Sequence, residues 1–337
     1  MYRSVTIGVL ILLIFAGLSA CAPATASEGS QTLVLYSGRS ESLVLPIIEQ
    51  FEAATGIDVE VKWGGTPELA ATLLEEGENS PADVFFAQDP GGLGAVRELL
   101  QPLPAEILEQ VQPLFRDPEG RWVGTSGRAR VLVYNTAALA VEDLPQDLHG
   151  LTDPQWRGRI GWAPTNGSFQ TMVTAMRTLW GEEQTRQWLV DMQANQPVVF
   201  EGNTPIVAAA GVGEIDLGLV NHYYLYRFLA EEGQEFSARN YHLPGSGPGS
   251  LVMTAGVGVL QSSRNSELAQ RFVAFLLSPV AQQYFTSQTY EYPVVEGVVV
   301  DAELTPLTEI QPPDITPADL ADLQGTVTLL QETGVLP

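Results

Sequence analysis

TLVLYSGRSESLVLPIIEQFEAATGIDVEVKWGGTPELAATLLEEGENSPADVFFA, residues 32–87, reads as strand, helix, strand, helix, strand. Residues 32–36 are a strand-like apolar run. Ser40 then stands where it can cap a helix whose apolar positions Leu43, Ile47, Ile48 and Phe51 recur at helical spacing until Gly56 stops it. Residues 57–63 return to strand. Thr66-Pro67-Glu68 supplies a cap, a first-turn proline and a first-turn acid, so a second helix runs to Gly77, and residues 83–87 form a buried strand. Such alternation specifies an α/β chain with a mostly parallel sheet.

Working outward, the pattern resumes after Trp122, with strands at 131–134, 159–162, 215–220 and 251–260 and helices at 168–180, 182–194, 267–277 and 280–287. The tail, with Pro306, Pro312, Pro313 and Pro317, is loop-rich and ends in a short helix. A length of 337 residues suggests about two domains. Toward the N-terminus, Arg3 precedes an almost wholly apolar run at 5–16, too short to span a bilayer and placed as a secretory signal is. Leu18-Ser19-Ala20-Cys21 resembles the bacterial lipobox. That resemblance implies a signal peptide at 1–20, a lipid anchor on Cys21, a flexible leash at 21–30, and residence on the outer face of the cytoplasmic membrane or in the periplasm.

Composition excludes several functions. With 16 Lys+Arg against 40 Asp+Glu the net charge is -24, so binding to nucleic acid through a basic surface is excluded. One cysteine and three histidines leave no disulfide and no thiolate or His-rich metal site, so any metal must be held mostly by oxygen. Lys62 is the only lysine. No dinucleotide, P-loop or nucleophile-elbow motif is present, and Gly245-Ser246-Gly247-Pro248-Gly249 precedes a strand rather than a phosphate-binding helix. No catalytic set emerges, and His149 and His242 read as surface residues.

Asn221-His222-Tyr223-Tyr224 is the informative local feature. Along a strand two adjacent tyrosines point to opposite faces, but at a strand-to-helix turn both rings can serve one ligand above the carboxyl end of a sheet. Asn221 is read as the cap of that helix. A hard trivalent cation can displace the phenol proton, and ferric iron is the biological cation that suits the site. From the dipeptide alone, packing of a helix face is the favoured account.

Four stretches in order, Val34-Leu35-Tyr36-Ser37-Gly38-Arg39, Pro81-Ala82-Asp83-Val84-Phe85-Phe86, Ser126-Gly127-Arg128-Ala129-Arg130-Val131 and Asn221-His222-Tyr223-Tyr224, resemble the periplasmic ferric-ion-binding proteins of bacterial ABC importers. The resemblance implies a type II periplasmic-binding-protein fold with a ligand cleft between two α/β lobes, an N-lobe of 31–126 plus 254–299 and a C-lobe of 127–253 plus 300–337. It carries Fe(3+) ligation onto Tyr223 and Tyr224. A synergistic anion, phosphate or carbonate, falls on Asn166, Gly167, Ser168, Asn203 and Asn221, with Arg128 and Arg39 as further partners. An ABC permease is the implied partner, and the protein is expected to be a monomer and not an enzyme. Departures accompany it: Ser40 and Gln88 stand at the His and Glu ligand positions of one branch, Phe169 at a third tyrosine, and Asp89 at an anion-binding Gln. Tyr36, Arg39, Glu41, Gln88 and Asp89 are expected near the cleft, with Arg39 offsetting Asp89 and iron held more weakly and with greater dependence on the anion. The alternative is a binding protein of the same fold for a small organic anion or a polyamine. Arg39 and Arg128, in place of an acidic box, weigh against a polyamine.

Overall fold

A computed structural model describes Met1 and residues 31–337; the leader, Cys21 and the leash at 21–30 lie outside the described residues. The described strands are β1 (Gln31–Ser37), β2 (Ile57–Trp63), β3 (Val84–Ala87), β4 (Trp122–Asn135), β5 (Ile160–Trp162), β6 (Val198–Val199), β7 (Leu217–Asn221), β8 (Ala238–Tyr241) and β9 (Val252–Val259). They join in the order β2-β1-β3-β9-β4-β7-β5-β6, with β8 added to β4. β1 is parallel to β2 and β3, and β5 is parallel to β6 and β7, so each end of the sheet is an α/β half. Between them lie the two antiparallel strands β4 and β9.

β4 is the spine. Its 14 residues are all buried, and at about 3.3 Å per residue it runs through both halves. Trp122 to Ala129 pair with β9, and Arg130 to Tyr134 pair with β7. The change of partner falls between Arg128 and Arg130, which places those side chains where the halves meet.

The local signals act as expected in most places. Helix Glu41–Thr55 buries Leu43, Val44, Ile47, Ile48 and Phe51 and ends at Gly56 in the left-handed conformation, φ 70°. Phe51 meets Phe272 edge to face at 5.0 Å, each ring contributing about 1.5–3 kcal/mol by burial. Ser40 occupies the cap position of that helix, but its hydroxyl makes no capping bond. The cap of helix Thr66–Glu76 is Gly65 rather than Thr66, whose hydroxyl accepts from the Gln88 N–H at 2.9 Å. Besides the short 3-10 turns, five elements escaped the periodicity: helices Pro90–Ala95, Ala105–Leu108 and Asn203–Val212, and strands β6 and β8. The final helix, Leu323–Glu332, packs on helix Gly167–Trp180 through a 2.7 Å hydroxyl pair between Thr174 and Thr326. No helix among the described residues is long and apolar enough to cross a membrane.

Candidate functional site

Tyr223 and Tyr224 open helix Tyr223–Glu232 directly after β7. Their rings stack with centroids 4.3 Å apart and planes 28° from parallel. Tyr223 is fully buried, and its hydroxyl has no hydrogen-bond partner. Tyr224 faces a cavity of about 210 Å³ whose walls include Arg39, Gln88, Asn166 and Asn203. Burial, reinforced by Tyr224, pushes the Tyr223 phenol well above its ordinary value, while Arg39 and Arg128 pull the other way. Tyr223 is therefore held neutral.

Asn221 is not the cap of this helix. It is the last residue of β7; His222 holds the cap position without a side-chain bond. The Asn221 amide instead donates to Ser168 Oγ at 3.1 Å and accepts from Arg130 Nη1 at 3.0 Å. His222 is buried, with Nδ1 accepting from the Ala129 N–H at 3.1 Å and Nε2 facing the Tyr290 carbonyl at 2.9 Å. Burial pulls its pKa down to about 3, so it is a neutral clamp between β4 and the 290 segment.

Three buried arginines surround the tyrosines. Arg39 forms a two-pronged pair with Glu291, at 2.9 and 2.6 Å. Arg128 has no hydrogen bond on any of its three nitrogens, and its nearest counter-charge is Glu291 at 3.6 Å. Arg130 leaves Nε and Nη2 without partners, and burial pulls its guanidinium down to about 9, still protonated at neutral pH. Glu291 accepts also from Ser126 and Thr289. Burial alone would raise its carboxyl, but the charge and hydrogen bonds of Arg39 and the charge of Arg128 hold it below its ordinary value.

The expected pairing of Arg39 with Asp89 is therefore corrected: Arg39 is committed to Glu291, and the cation acting on Asp89 is Arg128. Asp89 caps helix Pro90–Ala95 through Gly92 and accepts from Thr171 at 2.9 Å, across to helix Gly167–Trp180. Burial pushes its carboxyl up, and its second oxygen has no partner. Gln88 makes the second crossing, donating to Ser168 Oγ at 3.1 Å. Tyr36 is corrected as well, since its hydroxyl donates to Glu76 and its ring lies 4.5 Å from the Lys62 ammonium, outside the cluster. Ser40 is exposed on the wall of the 210 Å³ cavity, Glu41 is exposed, and Phe169 is core, edge-on to Trp162.

The helix start at Asn166 keeps limited capacity for an anion. Asn166 Oδ1 already accepts from the Ser168 N–H. Ser168 Oγ accepts from both Gln88 and Asn221, which leaves its own hydrogen to donate. Asn203 accepts from the Asn221 N–H and keeps a buried, unpartnered Nδ2. Unmet donors thus converge around two stacked phenols, and among the described residues no group of three His, Cys, Asp or Glu offers an alternative metal site.

Gly167 lies where the two halves touch. A Cβ there would stand 2.2 Å from Asp89 Oδ2, a contact between the two halves. Gly167→Ala is expected to weaken ligand binding by about 1–3 kcal/mol, the usual overpacking cost. It should also enlarge the ligand-bound radius of gyration in X-ray scattering while leaving the melting temperature of the ligand-free protein nearly unchanged.

Glu291 and Arg130 were missed in the sequence. Arg130 carried a signal, because residues two apart on a strand share a face, so Arg130 accompanies Arg128. Glu291 carried none, standing 252 residues from Arg39. The left-handed backbone of Tyr290, φ 56°, and the bridge between Gly127 and Tyr292 place it.

Comparison with known proteins agrees with this architecture. The bacterial extracellular solute-binding protein family matches residues 79–319. The Fe(3+)-binding periplasmic protein of Serratia marcescens is 34% identical over 93% of each chain, and the major ferric iron-binding protein of Neisseria meningitidis serogroup B (strain ATCC BAA-335 / MC58) is 33% identical over 96% of this chain and 97% of its own. Iron-bound HitA of Pseudomonas aeruginosa superimposes with a TM-score of 0.86 at 37% identity, over 90% of this chain and 99% of that one. The fold is that of a type II periplasmic binding protein, a class of solute binders rather than enzymes. The chain belongs to the bacterial extracellular solute-binding protein family, among relatives that are ferric-ion-binding periplasmic proteins.

Proposed function

We propose that this protein captures ferric iron together with a synergistic anion, phosphate or carbonate, in the cleft between its lobes and delivers it to an ABC permease. The observation that carries the reading is the stacked Tyr223–Tyr224 pair set among the unpartnered nitrogens of Arg128, Arg130 and Asn203. The lobes are 31–126 plus 254–299 and 127–253 plus 300–337, hinged on β4 and β9. Tyr223 and Tyr224 ligate the metal and release their protons as it binds. Asn166, Gly167, Ser168, Asn203, Asn221 and Arg128 hold the anion, with Arg39 contributing charge and one unpartnered nitrogen, Nε. A lipid on Cys21 keeps the protein at the outer face of the membrane.

Charge supports the anion. Three buried guanidiniums outnumber the carboxyls of Glu291 and Asp89, and burial raises the Asp89 carboxyl, so the surroundings are net positive. Ferric iron with two phenolates adds one more positive charge, so a small anion lowers the net charge of the buried site, which a low-dielectric interior favours. Adding ferric citrate is expected to produce a visible tyrosinate-to-iron colour, deepened by bicarbonate or phosphate; a colourless protein would overturn the reading. Arg128→Ala should lower ferric affinity by about 2–5 kcal/mol and remove its dependence on added bicarbonate, measured by competition against citrate.

A further inference from the structure

A second cavity, about 710 Å³, shares Gly38, Gly65, Gln88, Asn166 and Glu201 with the wall of the cavity that Tyr224 faces. It opens between helix Thr66–Glu76 and helix Leu323–Glu332. Its size falls in the roughly 300–1,000 Å³ range of sites for organic ligands, far above what a metal ion and a small inorganic anion fill. We propose that it holds the organic part of an uncharged or cationic hydroxamate chelate from which the iron is taken. This rests on the ferric-capture reading and names the form in which the metal arrives.

Three features select that chemistry. Gln170 lines the cavity and is 2% exposed; its Nε2 donates to the Pro164 carbonyl at 3.0 Å, while its Oε1 is buried without a partner. An unmet acceptor asks for an N–H or O–H on the ligand, which amide and hydroxamic groups supply. The charged residues in the wall are Glu68, Glu201 and Asp322, with no Lys, Arg or His among them. Asp322 is paired with Arg177, but Glu68 and Glu201 form no ion pair among the described residues. A tricarboxylate such as citrate would meet like charge here, whereas an uncharged or cationic chelator would not. Leu74 and Leu323 offer apolar surface to methylene spacers. Transfer is a balanced ligand exchange: one iron–hydroxamate oxygen bond breaks as the iron–phenolate bond forms, and the phenol proton passes to the released hydroxamate.

Gln324 and Ala71 are exposed residues on opposite walls, so tryptophan at either fills the cavity at little cost to folding. Isothermal titration of the full mature protein with ferrioxamine B, a cationic linear trihydroxamate, and with ferric citrate tests the proposal. The wild type should bind ferrioxamine B at least tenfold more tightly than ferric citrate. Gln324→Trp and Ala71→Trp should each weaken ferrioxamine B at least tenfold while leaving iron uptake from citrate within twofold. Equal loss of both, loss of neither, or preference for the citrate form overturns it. Colour from citrate with silent cavity variants rejects this site alone; no colour from either source rejects ferric capture and this site with it.

Discussion

Tyr223→Phe combined with Tyr224→Phe is expected to abolish ferric binding and its colour while making the iron-free protein no less stable. Loss of outer-shell partners alone typically costs about 10–100-fold in metal affinity, so each lost phenolate should cost at least about 100-fold. The stability side is the discriminating one. The Tyr223 hydroxyl is buried without a partner, and such a group costs about 1–3 kcal/mol. Phenylalanine keeps the stacked ring and removes that cost, so Tyr223→Phe alone should raise the urea midpoint. A tyrosine present only to pack the helix would show no link between its hydroxyl and iron. Parallel iron titrations and urea melts of the single and double variants separate the two.

Glu291→Ala is expected to be the most destabilising single change. It strips Arg39 of both its short bonds and removes the nearest counter-charge of Arg128, at 3.6 Å, so Arg39 becomes unpaired and Arg128 keeps only the more distant Asp89. Breaking a buried pair from one side costs about 3–5 kcal/mol. The folded carboxyl lies below its ordinary value, so the unfolded chain takes up the proton first as pH falls. Glu291's contribution is then fully present above the unfolded pKa, about 4.3, and is lost as pH falls through the folded value. The stability gap between wild type and Glu291→Ala should be full at pH 7 and narrow below about pH 4. A gap that stayed constant through acid would show that the loss is one of packing, not charge.

The two substitutions divide the site by role. Tyr223 buries a hydroxyl without a partner, and Glu291 is the counter-charge of the buried Arg39 and Arg128. Asp89 and Gln88 supply the contacts between the halves, to Thr171 and Ser168. At the position where one branch of the resembled family has a metal-binding Glu, the Gln88 amide instead donates to Ser168 across the two halves.

What was legible in the sequence was local. Residues 32–87 specified the parallel α/β half, because helix and strand periods, caps and glycine stops act within a few residues, and Gly56 and the Tyr-Tyr turn stand where those rules put them. The scarcity of cysteine and histidine had already confined any metal site to oxygen ligands. Short elements such as β6, with two residues, were not legible, since tertiary pairing rather than propensity makes them. Nor was the charge plan. Whether Arg39 answers Asp89 or Glu291, and whether Asn221 caps a helix or bridges Ser168 and Arg130, depends on where β4 changes partner and how the 290 segment returns to it. Charges and buried donors pair by distance in space, and that distance exists only once the sheet has formed.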